Sequence, residues 1–231
     1  MPANRDIAAL FSSISGRYDF LNHFLSLNID KMWRKKLVRS LGVSADHRVL
    51  DVCTGTGDIV IEFAKNSKSS QCFGIDFSGK MLEIAQRKVE KSGLGRRIRL
   101  MQADAMNIPF DEEFFDVVFM GFGMRNLPDT AKGIQETIRV LKKGGKVLIL
   151  EFSPRQSGLA GWFYKIYLKF VVPVLGGYIS GDSNAYRYLA TSIPDFLEPE
   201  KVSQLMKAQG YTNIKATPLT SGIVYIYEGT K

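Results

Sequence analysis

VLDVCTGTGD, residues 49–58, changes character twice within one short stretch. Val49, Leu50, Asp51 and Val52 read as the end of a short buried strand. Cys53-Thr54-Gly55-Thr56-Gly57 is a tight turn almost without side chains, and Asp58 stands where a helix starts, with Ile59, Val60, Ile61 and Phe63 as its apolar body. A strand, a glycine turn and a helix N-terminus together make a pocket for a nucleotide-like ligand. A plain strand-to-helix turn also uses glycine for positive φ, so the loop gains weight only from its neighbours.

The turn separates two classes of cofactor. A dinucleotide site wants G-x-G-x-x-G with a helix dipole aimed at a pyrophosphate, and here Val60 takes the place of the third glycine. Asp51 before the turn and Asp58 after it suit a ligand that carries positive charge. S-adenosyl-L-methionine, with a sulfonium, an ammonium and no phosphate, fits that environment.

Outward from the loop the chain alternates. Strands are expected at 48–53, 71–76, 98–102, 115–121 and 146–152, with helices at 58–66, 79–91 and 130–141 between them. That order predicts an α/β fold with a doubly wound, mostly parallel seven-stranded sheet of the Rossmann-like kind. The last part departs from the pattern: a helix at 199–209 precedes strands at 211–217 and 222–228, most simply an antiparallel hairpin. Residues 5–41 read as helical, with Ser15-Gly16 as a break and Asp30 as the cap of a helix over 31–41 that ends at Gly42. The whole chain, 1–231, reads as one domain, with 1–44 as an N-terminal helical lid and 154–197 as a helical insertion covering the substrate.

Three further positions fall at carboxyl ends of strands, where open α/β sheets bind ligands. Asp76 can accept from both hydroxyls of a ribose, Asp104 from an adenine amino group, and Gly121-Phe122-Gly123 lets the backbone approach a ligand. Any one of these acids alone is better read as a helix cap or a surface carboxylate. Four correctly placed strand ends favour a site.

The 231 residues are 45% hydrophobic and 23% charged, an ordinary globular composition with net charge +8. Basic clusters at 31–39, 87–99 and 139–146 attract nucleic acid or an anionic membrane face, or are simply solvated helix faces. Cys53 and Cys72 lack metal-ligand spacing and read as reduced core thiols of a cytoplasmic protein, and no metal site is expected. Residues 159–179 are mostly apolar, but Lys165, Lys169 and Pro173 argue against a membrane span. Trp162, Phe163, Ile166, Tyr167 and Phe170 share one face there, which suits a lid that also touches an anionic membrane surface at the inner face of the cell membrane.

YDFLNHFLSLNIDKMWR (18–34), LDVCTGTGD (50–58), GIDFSGKML (74–82), DAMNIPF (104–110), FGMRN (122–126), RVLKKGGKVLILEFS (139–153) and DSNAYRYLATSI (182–193) resemble the UbiE/MenG family of quinol C-methyltransferases, over nearly the whole chain. The resemblance implies a class I methyltransferase fold and methylation of a polyprenyl quinol ring in menaquinone or ubiquinone synthesis. It implies cofactor contacts from Thr56, Asp76, Asp104 and Ala105, and from Gly121 through its backbone alone, where relatives often carry serine; the reading of the loop itself adds Asp51, Gly55 and Gly57. Arg125, Asn126 and Tyr18 are the implied catalytic residues, and Tyr186, Arg187 and Tyr188 shape the substrate cavity. Arg125 would stabilise a developing phenolate. His23 is a weaker candidate base, better read as structural, and His47 has no role. A homo-oligomer is compatible with this reading. Three other readings rank lower: a methyltransferase of another small aromatic substrate, a nucleic-acid methyltransferase, whose Asn/Asp-Pro-Pro-aromatic motif is missing, and a non-catalytic binder of the cofactor.

Overall fold

Arg48–Val52 (β1) is the middle of a sheet, and its near-continuous apolar run follows from burial on both faces. In the computed structural model, residues 23, 26, 28–42, 46–67, 71–154, 188 and 191–231 are described. The elements run Ile29–Ser40 (α1), β1, Asp58–Asn66 (α2), Gln71–Asp76 (β2), Gly79–Lys91 (α3), Ile98–Gln102 (β3), Phe115–Gly121 (β4), Thr130–Val140 (α4), Leu141–Phe152 (β5), Pro199–Ala208 (α5), Thr212–Leu219 (β6) and Val224–Thr230 (β7). The strands form one seven-stranded sheet in the order β3-β2-β1-β4-β5-β7-β6. The first five are parallel, while β7 runs antiparallel to both β5 and β6. The expected doubly wound sheet with a C-terminal hairpin is therefore present, with the hairpin's second strand inserted next to β5.

Side-chain alternation sorts the strand residues into two cores. Val49, Val117, Phe119, Leu148 and Leu150 face α1 and α2. Leu50, Val118, Met120, Val147 and Ile149 face the opposite side, with Ile134 of α4 and Val202 and Met206 of α5. Strand order reverses between β1 and β4, so the loops after these two strands diverge and leave the crevice in which such sheets bind ligands.

Several boundaries differ from the sequence reading. The first described helix begins at Ile29, behind Asn28 in the left-handed region at φ 62°, so Asp30 is not its cap. Asp30 is instead 4% exposed, bonded to Ser26 Oγ and His23 Nδ1 at 2.7 Å each and paired with Arg34. The β5 strand starts at Leu141, because Leu141 still pairs with Phe115 before Gly144-Gly145 bulges and Lys146 resumes the ladder opposite Val117. The hairpin turn lies at Thr220-Ser221-Gly222 as expected, all three at positive φ, but the strand before it runs two residues further, to Leu219.

α1 lies across α2 and the end of β5. Trp33 sits with its ring 6.2 Å from Phe122 and 6.0 Å from Phe152, and its Nε1 donates to Thr220 Oγ1 at 2.8 Å. The rest of the expected N-terminal lid, and the stretch 159–179, lie outside the described residues. Among the described residues no helix is long and apolar enough to cross a membrane.

Candidate functional site

The glycine turn is held by its neighbours before any ligand is considered. Thr54 N donates to Ile75 O at 2.9 Å, tying the turn to β2. Asp51 is fully buried, and its Oδ2 accepts from Thr54 Oγ1 at 2.6 Å and from Val60 N at 3.2 Å. Its Oδ1 is buried with no hydrogen-bond partner among the described residues. Burial pushes this carboxyl up to about 7 against the pull of the Thr54 and Val60 donors. A cation beside it would favour the charged carboxylate against this rise.

Asp76 closes β2 and reaches back to the same turn. Its Oδ2 accepts from Gly55 N at 2.8 Å and its Oδ1 from Ser78 N at 2.9 Å. Burial raises this carboxyl, and the backbone donors work against the rise. The side chain remains partly exposed, and Phe77, next in sequence, is 41% exposed. Asp104 lies past β3 in a short bridge to Asn107, its Oδ1 accepting from Met106 N at 2.9 Å, with Ala105 buried behind it.

The turn after β4 closes against the turn after β1. A side chain on Gly123 would place its Cβ 2.5 Å from Cys53 Cβ, and one on Gly121 would meet Ile59 Cδ1 at 2.2 Å. Glycine at 121 thus goes with an isoleucine on α2 that fills the space a serine would need.

Beyond Gly123 a short turn, Met124–Asn126, carries the polar pair. Arg125 is 7% exposed. Its Nη1 donates to Glu151 Oε1 at 2.6 Å and to Phe122 O at 2.8 Å, its backbone N donates to Glu151 Oε2 at 3.2 Å, and its guanidinium lies 5.3 Å from the centre of the Phe152 ring. Asn126 Oδ1 accepts from the Tyr188 hydroxyl at 3.0 Å. Burial raises the Tyr188 hydroxyl, with Arg125 lowering it and Glu151 raising it further. Asn126 and Tyr188, far apart in sequence, therefore meet. Tyr18, Tyr186 and Arg187 lie outside the described residues.

One sequence expectation, an open acid after the turn, is corrected. Asp58 does not present a second open carboxylate beside the loop: Lys88 of α3 pairs with its Oδ1, and Arg34 of α1 lies 3.7 Å from its Oδ2. Burial works to raise Asp58, but these two cations hold it below the usual range. The Thr56 hydroxyl is likewise turned to Lys88, accepting from its Nζ at 3.0 Å, and the residue is buried. The cations come from helices the local motif does not contain. The sequence reading also passed over Glu151, fully buried at the end of β5 and the main partner of Arg125. Its only signal was a carboxylate at the end of the apolar run VLIL. His23, bonded to Asp30, is structural.

A model of the ubiE/COQ5 methyltransferase family matches residues 2–231. The chain is 41% identical over 226 residues to the ubiquinone/menaquinone biosynthesis C-methyltransferase UbiE of Geotalea daltonii, covering 97% of this chain and 96% of that protein. It is 40% identical over 222 residues to the demethylmenaquinone methyltransferase of Thermus thermophilus, covering 96% and 100%. Among solved structures, a methyltransferase of Thermotoga maritima described as a possible histamine N-methyltransferase superposes with a TM-score of 0.69 at 20% identity, covering 96% and 99%. The [4+2]-cyclase SpnF superposes with a TM-score of 0.73 at 17% identity, covering 100% and 97%. The structural likeness fixes the fold alone, since one fold here serves a cyclase as well as methyltransferases.

Proposed function

The chain belongs to the ubiE/COQ5 methyltransferase family, and on that premise we propose that it transfers the methyl group of S-adenosyl-L-methionine to a ring carbon of a polyprenyl quinol. The site's residues fit that cofactor. The buried Asp51 Oδ1 suits the ammonium, Asp76 suits the ribose hydroxyls, and the exposed Phe77 ring beside it suits a face of the adenine. Asp104 and Ala105 suit the base edge, and Gly55, Thr56, Gly57 and Gly121 lend backbone. Lys88 already engages Asp58 Oδ1 and donates to the Thr56 hydroxyl, so Thr56 is read as a backbone contact.

When bound, the cofactor supplies an electrophilic methyl group. The chain's own task is to make a ring carbon nucleophilic and to aim it. A quinol does this when a ring hydroxyl gives up its proton, because the phenolate oxygen pushes density onto the adjacent carbon. The observation that carries the assignment is the Asn126–Tyr188 hydrogen bond beside buried Arg125. It places two hydrogen-bonding side chains and a guanidinium at the end of β4, at the same sheet edge as Asp51 and Asp76. Asn126 and Tyr188 orient the ring oxygen, and Arg125, held flat by Glu151, stabilises its developing charge. Tyr18, Tyr186 and Arg187 complete the substrate cavity in this reading.

The test is to incubate purified protein with labelled S-adenosyl-L-methionine and a short-tailed demethylmenaquinone or a benzoquinone precursor, with and without a chemical reductant, and to identify the product by mass. Label on the ring of at least one reduced substrate is expected. Equal rates on the oxidised ring, which has no hydroxyl to ionise, or no ring methylation at all, would overturn the proposal.

A further inference from the structure

Two basic cavities lie side by side along α1, away from the residues assigned to cofactor and quinol apart from the Lys88 that braces the loop. The first, about 480 Å³, runs between α1, α2 and α3 and is lined by Lys31, Arg34, Lys35, Lys65, Lys88 and Lys91. The second, about 540 Å³, shares Lys31 and Lys35 with the first and adds Lys36, Arg39 and Met32. The carboxylates in the first are already engaged: Asp58 by Lys88 and Arg34, and Glu62 by Asn66 Nδ2 at 3.2 Å. Lys31, Lys35, Lys65 and Lys91 have no carboxylate within ion-pair distance among the described residues.

Crowding unpaired like charges is unfavourable, and Lys31, Lys35 and Arg39 follow one another at the i,i+4 spacing where repulsion acts directly. In the middle stands Met32, 55% exposed. Cations around an exposed apolar side chain on the outer face of an amphipathic helix suit a surface that is anionic outside and apolar beneath. Among the described residues no Phe, Tyr or Trp lines either cavity, so the described lining lacks the stacking platform that single-stranded nucleic acid uses. The inner face of the same helix carries Trp33 against Phe122 and Phe152, at the edge of the site. We propose that the outer face of α1, with Lys65 of α2 and Lys91 of α3, is a docking surface for an anionic phospholipid bilayer. A polyprenyl tail dissolves in that layer. The choice of partner rests on the quinol reading; the charge geometry does not.

The experiment is flotation of the full chain with vesicles of phosphatidylcholine alone and of phosphatidylcholine with about one third phosphatidylglycerol, since juxtamembrane basic residues act on anionic lipid. Wild type should float with the anionic vesicles only, and less as salt rises. In Lys31→Gln/Lys35→Gln/Lys65→Gln/Lys91→Gln, partitioning should fall roughly fivefold for each charge removed. Turnover of a short-tailed quinol in free solution should not change, which also shows that the variant folds. A control removing the same charge far from the cavities, Lys143→Gln/Lys201→Gln/Lys207→Gln/Lys215→Gln, should float like wild type. Flotation unchanged in the first variant, an equal loss in the control, or equal flotation on neutral vesicles would overturn the proposal. So would full displacement by glycerol phosphate at matched phosphate concentration, which would mark a small-anion site. Tighter binding of DNA than of vesicles, lost in the same variant, would assign the surface to nucleic acid instead. Wild type that floats as described but methylates no quinol would sink the functional reading and leave the lipid surface standing.

Discussion

Asp51 and Asp76 sit on the two strands that flank the glycine turn, and their chemistry differs because their donors differ. Asp76 has a backbone donor on each oxygen and is partly exposed. Asp76→Ala removes the partner of Gly55 N–H and of the ribose hydroxyls together. Affinity for S-adenosyl-L-methionine should drop by about 1–3 kcal/mol, read by calorimetry on folded protein. Asp51 has one oxygen without a partner, and burial lifts its carboxyl to about 7. An acid whose folded value lies above its unfolded one stabilises the fold in its protonated form. That contribution is fully present below the ordinary carboxylate range, near pH 4, and is lost as pH rises through about 7. The ligand-free protein should therefore lose some thermal stability between about pH 5 and pH 8 through this group. Binding of the cationic ligand works the other way: it needs the carboxylate, so affinity should rise with pH up to about 7 and then level, with proton release on binding at pH values below that. Asp76 raises this carboxyl and Arg34 lowers it, so neither should be mutated in the same experiment. Asp51→Asn should bind weakly and without the pH slope. A wild-type affinity that is flat across this range would show that Asp51 does not meet the ligand's charge.

Between elements, the contact that matters is the one joining the turn after β4 to the end of β5. Arg125 and Glu151 are both buried, so their pair matters chiefly when one partner is lost. Glu151→Ala leaves a buried guanidinium without its carboxylate and should cost about 3–5 kcal/mol in urea unfolding, while Glu151→Gln keeps an acceptor and should cost less. Arg125→Ala should reduce turnover by roughly 10²–10³-fold with cofactor affinity kept, and Arg125→Lys should rescue only partly, because an ammonium lacks the planar fork. Stability should fall in Arg125→Ala under either reading; if the arginine only braces the loop, cofactor affinity will fall as well and turnover on bound cofactor will not. The same contact shows where sequence reading stops. The limits of α2, β2, α3, β3 and β4 were legible to the residue, because glycines, Ser78 and Asp129 punctuate periodic apolar runs that local rules decode. Asp30 was misread as a cap because Asn28, two residues earlier, ends the coil by taking the left-handed conformation, which no pattern of apolar spacing reveals. Glu151 was missed because a buried charge becomes intelligible only with its partner, and Arg125 reaches it across the sheet. Asp58 was misassigned for the same reason: Arg34 and Lys88 arrive from two other helices.

Across the molecule, a chain of ionic contacts fastens α1 to the turn that holds the cofactor. His23 and Ser26 donate to Asp30, Arg34 pairs with Asp30 and leans on Asp58, and Lys88 joins Asp58 to the Thr56 hydroxyl. Asp30 is the buried member of this chain. Burial works to raise its carboxyl, while Arg34, Ser26 and His23 hold it below the usual range. A lowered acid contributes stability above its unfolded value, and that contribution is lost as pH falls through the folded one. Arg34→Ala removes the strongest of the opposing cations, so burial should dominate and the carboxyl should rise. The variant's stability should then fall with pH where the wild type's does not. The gap between them should be small near pH 4, where Asp30 in the variant is protonated, and widen towards pH 7.5. At neutral pH it should approach the lower end of about 3–5 kcal/mol, because His23 and Ser26 still donate to the buried acid. Urea unfolding of both proteins at the two pH values measures it. Cofactor affinity should weaken as well, since Asp58 loses one of the two cations that fix the start of α2. Arg34→Lys keeps the charge and should restore most of the stability without the full rigidity of the forked group. A gap that stays constant with pH would mean that Arg34 stabilises the fold through its 5.4 Å stacking on Phe122 instead of through Asp30.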